Sequence, residues 1–181
     1  MIKPKPLHQG DTVAIISPAS PTDKNLIDKC VDSLNTLGLK VVVGESCLSE
    51  HGFLSGTDDI RAKDINCMFA DKNIKGIFAL RGGYGCARLL NLIDFKLIKK
   101  NPKIFVGYSD ITALHIAINQ KSKLVTYHGP MISTELIKGL DEYTASYYKK
   151  FIFGNDKVEE IYNPEGYNLE SINTGISSGQ L

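Results

Sequence analysis

One stretch decides the fold: Lys103-Ile-Phe-Val-Gly-Tyr-Ser-Asp-Ile-Thr-Ala-Leu-His-Ile-Ala-Ile118. Its first part, Ile104 to Tyr108, is a short apolar run typical of a buried strand, and its second part has apolar residues at helical spacing. The strand must therefore convert to a helix within Gly107 to Asp110. A turn this sharp lifts the side chain of Ser109 clear of the sheet, at a helix N-terminus that favours developing negative charge.

Ser109 has two interpretations at this corner. It can be the nucleophile of a strand-turn-helix elbow, activated by a base in hydrogen-bond reach. It can also be a simple N-cap, with Asp110 in the first helical turn, where the helix dipole prefers an acid. The stretch alone favours the cap, because Ser-Asp before an apolar helix is common.

Strand and helix patterns alternate on both sides of this stretch. Further strands are predicted at Thr12–Ser17, Lys40–Val43, Gly76–Leu80 and Lys123–Tyr127. Helices are predicted from Leu26 to Leu37 after a cap at Asp23, from Ile60 to Phe69, over Ala87 to Ile93, and from Glu142 to Phe153. The alternation predicts a three-layer α/β/α fold with an open, mainly parallel, flavodoxin-like sheet of about five strands.

Composition limits the classes of function. The chain has 181 residues, 43% of them hydrophobic, and a net charge of +1, so a globular protein is expected and neither nucleic acid nor a membrane is an expected partner. The four cysteines lack C-x-x-C spacing, which predicts reduced thiols, mostly buried, and neither metal nor cofactor is expected. The N-terminus has no apolar signal region and no run reaches membrane-spanning length, which favours a cytoplasmic protein.

Arg81-Gly-Gly-Tyr-Gly-Cys-Ala-Arg88 follows the Gly76–Leu80 strand and is the second informative stretch. Its glycines fit a phosphate cradle poorly, because Arg88 stands where the dinucleotide fingerprint needs a third glycine. They equally fit a tight turn with positive φ, or a bare N–H of Gly82 or Gly83 that forms an oxyanion hole with the N–H of Asp110.

A base for Ser109 is harder to find. Among the four histidines only His128 ends a strand that is expected to lie beside the Ser109 strand. A histidine in that place is more often a structural hydrogen-bonding group than a catalytic one. The sequence therefore predicts an incomplete site.

Five ordered motifs resemble the serine LD-carboxypeptidase family, which includes muramoyltetrapeptide carboxypeptidases and microcin C immunity peptidases. They are Gly10-Asp-Thr-Val-Ala-Ile-Ile-Ser-Pro-Ala-Ser20, Ser55-Gly-Thr-Asp58 with Arg61-Ala62, Arg81-Gly-Gly-Tyr-Gly85 with Arg88-Leu-Leu90, Gly107-Tyr-Ser-Asp-Ile-Thr-Ala-Leu114 and His128-Gly-Pro-Met131. With this resemblance the nucleophile becomes the favoured interpretation of Ser109.

The resemblance implies a cytoplasmic, usually homodimeric, metal-free peptidase that removes a C-terminal D-amino acid from murein tetrapeptide or a related peptide conjugate. Ser109 would be the nucleophile, and the amides of Asp110 and Gly83 would form the oxyanion hole. Gly82, Tyr84 and Arg81 are expected to bind substrate, with Arg81 or Arg88 as the cation for its carboxylate.

The resemblance also implies a domain division. Residues 1–168 would form the nucleophile-bearing domain and residues 169–181 a linker to a C-terminal domain that carries the triad Glu and His, so that this chain alone is expected to be nearly inactive. The alternatives from other classes are a flavodoxin-like ligand-binding module and a dimerisation module without catalysis.

Overall fold

A computed structural model describes residues 1–154, 161–167 and 175. Five parallel strands form one sheet in the order β2-β1-β3-β4-β5. Their bounds are Thr12–Ile16 (β1), Lys40–Val43 (β2), Ile74–Ala79 (β3), Ile104–Gly107 (β4) and Tyr127–His128 (β5). This strand order is the flavodoxin-like one, and it confirms the predicted fold class.

Helices cover both faces of the sheet. They are α1 (Ile27–Asn35), α2 (Asp58–Ala70), α3 (Phe95–Lys100), α4 (Thr112–Ser122) and α5 (Glu142–Phe153). One core cluster contains side chains of α2, α3 and α4, and the other contains side chains of α1 and α5. The central strands are buried on both faces, which is why they read as continuous apolar runs.

Side-chain caps set the start of several helices. Thr57 accepts a hydrogen bond from the backbone N–H of Ile60 at the start of α2, and Asp141 accepts one from Thr144 at the start of α5. Asp23 caps a short 3-10 helix, Lys24–Leu26, that leads into α1. The cap read from the sequence at Asp23 is thereby confirmed. For α2 the sequence offers Thr57 or Asp58 as the cap, and the structure selects Thr57.

Two predicted elements were wrong in extent. Residues 87–93 do not form one helix, since a 3-10 helix at Cys86–Leu89 is followed by a turn and α3 begins only at Phe95. The fifth strand was predicted at Lys123–Tyr127, but Lys123 is the left-handed C-cap of α4 and β5 is only Tyr127–His128.

Predictions for the C-terminal part of the chain fall largely outside the described residues. The sequence pattern allows at most a short strand at 158–162, which falls mainly on residues outside the described ones, and Ile161 and Tyr162 are irregular. The boundary at residue 168 also lies there. Cys30, Cys47 and Cys86 are buried free thiols and Cys67 is exposed, as predicted. In the part of the chain that the structure describes, every helix is too short or too polar to cross a membrane.

Candidate active site

Ser109 stands at an exposed, strained corner at the carboxyl edge of the sheet. Its φ is +62°, and among the described residues only Ser109 and Lys123 combine a side chain on Cβ with a positive φ. Lys123 ends α4, where the left-handed conformation is an ordinary helix cap, whereas Ser109 begins the 3-10 helix Ser109–Ile111 that leads into α4. Strain of this kind costs on the order of 1–3 kcal/mol and clusters at functional sites.

The N-cap interpretation of Ser109 is wrong. The residue in the cap position is Tyr108, and no side chain makes a capping hydrogen bond there. The Ser109 hydroxyl has no hydrogen-bond partner in residues 1–154, 161–167 and 175. The Ser109 hydroxyl is therefore exposed and makes no hydrogen bond that would stabilise the described structure.

The Gly-rich loop passes through a narrow space between two serines. A Cβ atom added to Gly82 would lie 3.1 Å from Oγ of Ser109, and one added to Gly83 would lie 2.1 Å from Oγ of Ser20. Gly83 also has a φ of +131°. The turn interpretation is confirmed for Gly83, which needs its positive φ, and both positions need a backbone without a side chain. The oxyanion-hole interpretation stays a prediction.

Asp110 joins the Gly-rich loop to the Ser109 corner. Its carboxylate Oδ2 accepts a hydrogen bond of 2.9 Å from the backbone N–H of Cys86. The first intrahelical N–H donors of this turn belong to Ile111 and Thr112, so the N–H of Asp110 is one of the unpaired donors at a helix start. Burial, and next the nearby Asp110 carboxylate, raise the pKa of the Cys86 thiol and keep it protonated.

Arg61 packs against the loop after β1 and against the Gly-rich loop. No separate role was predicted for this residue from the sequence. Its side chain is completely buried, donates a hydrogen bond of 2.6 Å to the carbonyl of Pro18 and pairs with Asp58. A Cβ atom at Gly85 would lie 2.7 Å from its Nη1 atom. Arg61 therefore holds the loop after β1 and the Gly-rich loop against each other. Its place in the Ser55-Gly-Thr-Asp58…Arg61 motif was the available signal.

The two arginines of the Gly-rich stretch differ in their partners. Arg88 bonds both carboxylate oxygens of Asp58, at 2.8 to 3.0 Å, and this contact lowers the pKa of Asp58. Arg81 makes one bond of 3.2 Å, from Nη1 to the carbonyl of Pro21, and its buried Nε has no partner among the described residues. Arg88 is therefore occupied, and Arg81 retains unused donors.

Two histidines lie behind the corner. His115 is buried and its Nε2 lies 2.8 Å from the carbonyl oxygen of Gly107, so this nitrogen carries the proton. Burial lowers the pKa of His115. His128 is exposed at the end of β5, with its ring centroid 6.1 Å from that of His115 and 5.8 Å from that of Tyr108. Neither ring makes a hydrogen bond to Ser109 within the described structure.

An apolar cavity of about 450 Å³ opens beside His128, between the β5 edge and α5. Its walls are mainly aromatic and aliphatic, and they include Tyr127, Tyr147 and Phe151. The described residues contain no group of three or more His, Cys, Asp or Glu side chains able to hold a metal ion.

The chain matches known proteins along most of its length. A model of the LD-carboxypeptidase N-terminal domain matches residues 13–129. The chain is 44% identical to a probable murein peptide carboxypeptidase of Bacillus subtilis, over 99% of this chain and 56% of that protein.

Solved structures give the same result. Microcin C7 self-immunity protein in complex with aspartyl sulfamoyl adenosine superimposes with a TM-score of 0.82 at 30% identity, over 96% of this chain and 53% of that one. Muramoyltetrapeptide carboxypeptidase from Oxalobacter formigenes superimposes with a TM-score of 0.70 at 29% identity, over 77% of this chain and 47% of that one. The chain thus spans about half the length of these relatives, and it belongs to the LD-carboxypeptidase family, whose N-terminal domain it contains.

Proposed function

We propose that this chain supplies the nucleophile of a serine LD-carboxypeptidase, which releases a C-terminal D-amino acid from murein tetrapeptide or a related peptide conjugate. One observation carries the proposal: an exposed serine hydroxyl with no structural partner stands at a strained corner against a glycine backbone. Family membership supplies the reaction class.

In this proposal Oγ of Ser109 attacks the carbonyl carbon of the amide that precedes the terminal D-residue. The hydroxyl proton passes to a base and then to the leaving amine, and water hydrolyses the resulting ester. The N–H groups of Asp110 and Gly83 stabilise the negative charge that develops on the carbonyl oxygen. The fixed contacts of Asp110 with Cys86, and of Gly83 with Ser20, support this assignment.

Arg81 is proposed as the cation that binds the terminal carboxylate of the substrate. Arg88 is less suited, because Asp58 already occupies its donors. A guanidinium with unused donors binds carboxylates through charge-assisted hydrogen bonds. Gly82 and Tyr84 complete the proposed substrate contacts, since they adjoin Ser109 and Gly83 in the same loop.

The base and the acid of the triad are proposed to come from a C-terminal half that is present in the relatives, joined through residues 169–181. The relatives are about twice as long as this chain, and His128 makes no hydrogen bond to Ser109 in the described structure. A cytoplasmic homodimer, as the resemblance implies, belongs to the same proposal.

The test measures release of D-Ala from a tetrapeptide that ends in L-Lys-D-Ala or meso-diaminopimelyl-D-Ala. The protein is a hybrid of residues 1–181 and the C-terminal half of the Bacillus subtilis relative. Turnover that is lost in Ser109→Ala, and absent with a terminal L-Ala, supports the proposal. Turnover that persists in Ser109→Ala contradicts it.

The 181-residue chain alone is the companion sample. Without the base it is expected to be nearly inactive, since oxyanion donors alone are each worth roughly 10²–10³ in rate. Full turnover by this chain, lost in His128→Ala, would instead assign the base to His128.

A further inference from the structure

We propose that Phe53 and Tyr84 form a binding site for a sugar ring attached to the far end of the peptide substrate. The pair is called the aromatic ledge below. This inference rests on the proposed function, because it names the part of the same substrate that lies away from the cleaved bond.

The aromatic ledge is unusually exposed for two large rings in contact. Phe53 is 65% exposed and Tyr84 is 59% exposed, and their ring centroids lie 5.8 Å apart with an interplanar angle of 57°. Contiguous apolar groups on a surface mark sites of interaction more often than scattered single ones do. The long loop between β2 and α2, which carries Phe53, has no role in the proposed chemistry.

The loops beneath the ledge hold it in place. Leu54 packs under the Gly-rich loop, where a Cβ atom at Gly85 would lie 2.8 Å from its Cδ2 atom. His51 and Leu54 pair across a tight turn that presents Phe53. Phe53 and Tyr84 therefore meet because their two loops are packed together.

The ledge lies within reach of the reacting bond. Gly82 contacts Ser109, and Tyr84 follows two residues later, so the Tyr84 Cα lies within roughly 12 Å of the Ser109 hydroxyl at 3.8 Å per Cα step. Three extended residues span about 10 Å. The name of the Oxalobacter formigenes relative describes a tetrapeptide that carries a muramoyl sugar, and such a sugar would be separated from the cleaved bond by three residues.

Aromatic rings suit this ligand. Phe and Tyr offer large, rigid contact area at low entropic cost, and Tyr adds a hydroxyl at the polar edge. A pyranose has an apolar face of C–H groups and a polar rim. Because both rings are more than half exposed, a pyranose can reach them from solvent.

The experiment is an NMR titration of the 181-residue chain with muramoyl-tetrapeptide and with the same tetrapeptide without the sugar. The sugar-bearing peptide is expected to bind about two- to tenfold more tightly. Phe53→Ala should remove this difference and leave the affinity for the plain peptide unchanged. Tyr84→Ala should lower the affinity for the sugar-bearing peptide more than that for the plain peptide, because Tyr84 is also a proposed contact of the peptide itself. Tyr84→Phe should retain the difference, and so should Tyr167→Ala, which removes a 73% exposed aromatic outside the ledge.

Two peptide results would overturn the inference: equal affinity of the wild-type chain for both peptides, including no binding of either, or an equal loss of affinity for both peptides in the alanine variants. A third is a loss in the alanine variants that affects only binding of aspartyl sulfamoyl adenosine, which would assign the ledge to a nucleobase. Each leaves the proposed function open, because that is judged by D-Ala release and not by the sugar.

Discussion

The two edges of the sheet differ in whether their buried polar groups have hydrogen-bond partners. At the amino edge, the amine of Lys103 is buried yet donates to the carbonyls of Met68, at 2.8 Å, and of Asp71, at the end of α2. At the carboxyl edge, the Nε atoms of Arg61 and Arg81 and the Nδ1 atom of His115 are buried without a partner among the described residues, and the buried hydroxyl of Tyr148 in α5 also lacks one. Polar groups left unsatisfied in a folded protein call for an explanation. Arg81 precedes Gly82, which contacts Ser109, and His115 bonds the carbonyl of Gly107, two residues before Ser109.

This difference is expected if the carboxyl edge carries the proposed active site at some cost in stability, whereas the amino edge contributes to stability alone. The carboxyl edge also contains the strained backbone of Ser109 and the close approaches of Gly82 and Gly83. Each prediction below perturbs one edge and compares the effect with an unperturbed position.

The largest effect is expected from Arg61→Met. Removal of this buried guanidinium leaves the Pro18 carbonyl without a donor and leaves Asp58 with Arg88 as its remaining cation. The unsatisfied carbonyl costs about 1–3 kcal/mol, and the lost charged hydrogen bond to Asp58 adds about 1.5–3 kcal/mol. The free energy of unfolding, from urea titration, measures this. Lys63→Met is the matched control, because Lys63 lies on the same helix with an exposed ion pair to Glu45, and little change is expected. Similar losses in both variants would show that Arg61 is no special support.

Gly83→Ala in the hybrid enzyme should lower kcat by about 10²–10³, because the added methyl group displaces a proposed oxyanion donor. The control is Gly139→Ala: its φ of +83° is also positive, but nothing lies within 4 Å of the added Cβ. Both variants are strained, and only Gly83→Ala disturbs the space between Ser20 and Ser109. Equal kcat values in the two variants would contradict the oxyanion assignment.

Lys103→Met should cost about 1–3 kcal/mol of stability, because two buried carbonyls lose their donor, and leave kcat of the hybrid unchanged. Burial lowers the pKa of Lys103 from 10.5 to about 8. Between these two pH values the unfolded chain therefore binds more protons than the folded chain does. The contribution of Lys103 to the free energy of unfolding accordingly rises from about pH 8 to pH 10.5. Urea titrations at pH 7.5 and 10 should show that rise only with Lys103 present. A fall in kcat would mean that the amino edge also serves function.

His115→Phe gives the smallest effect. The phenyl ring keeps the edge-on packing against Phe105 but loses the hydrogen bond to the carbonyl of Gly107. A hydrogen bond of this kind contributes about 0.5–1.5 kcal/mol, so kcat is expected to fall three- to tenfold. KM should be unchanged, and His115→Gln should recover part of the lost kcat. A rise in KM alone would show that His115 does not position the corner.

The same histidine predicts a pH dependence. Because burial lowers its pKa in the folded protein, the unfolded chain takes up a proton below about pH 6.5 that the folded chain resists. Stability should therefore fall as the pH drops through this value, and less steeply in His115→Gln. The titratable side chain next to His115 is His128, with the ring centroids 6.1 Å apart, so His128→Gln serves as a second reference.

The sequence predicted the sheet well because its central strands are buried on both faces and appear as apolar runs. It failed where tertiary contacts override local pattern. The apolar spacing of Ala87 to Ile93 is helical, but Gly85 takes a φ of +121° and the N–H of Cys86 bonds Asp110, so the chain turns before α3 begins. The glycines indicated a turn, but no local signal could reveal the hydrogen bond between Cys86 and Asp110.

Ser109 could be proposed from the sequence, but its conformation could not. Only the structure separates a capping serine from a strained and exposed one. The same holds for Arg81 and Arg88, which are equivalent by sequence until the ion pair with Asp58 distinguishes them. The role of Arg61 depends on contacts with Pro18 and Gly85, more than 20 residues away in either direction.

The most direct test of the central claim is covalent labelling of the hybrid enzyme with a fluorophosphonate, followed by peptide mass spectrometry. The account predicts one label per chain, on Ser109, with none in Ser109→Ala and slower labelling in Gly83→Ala. A label on another serine, or an unlabelled Ser109 in a hybrid that releases D-Ala, would contradict the assignment of Ser109 as the nucleophile.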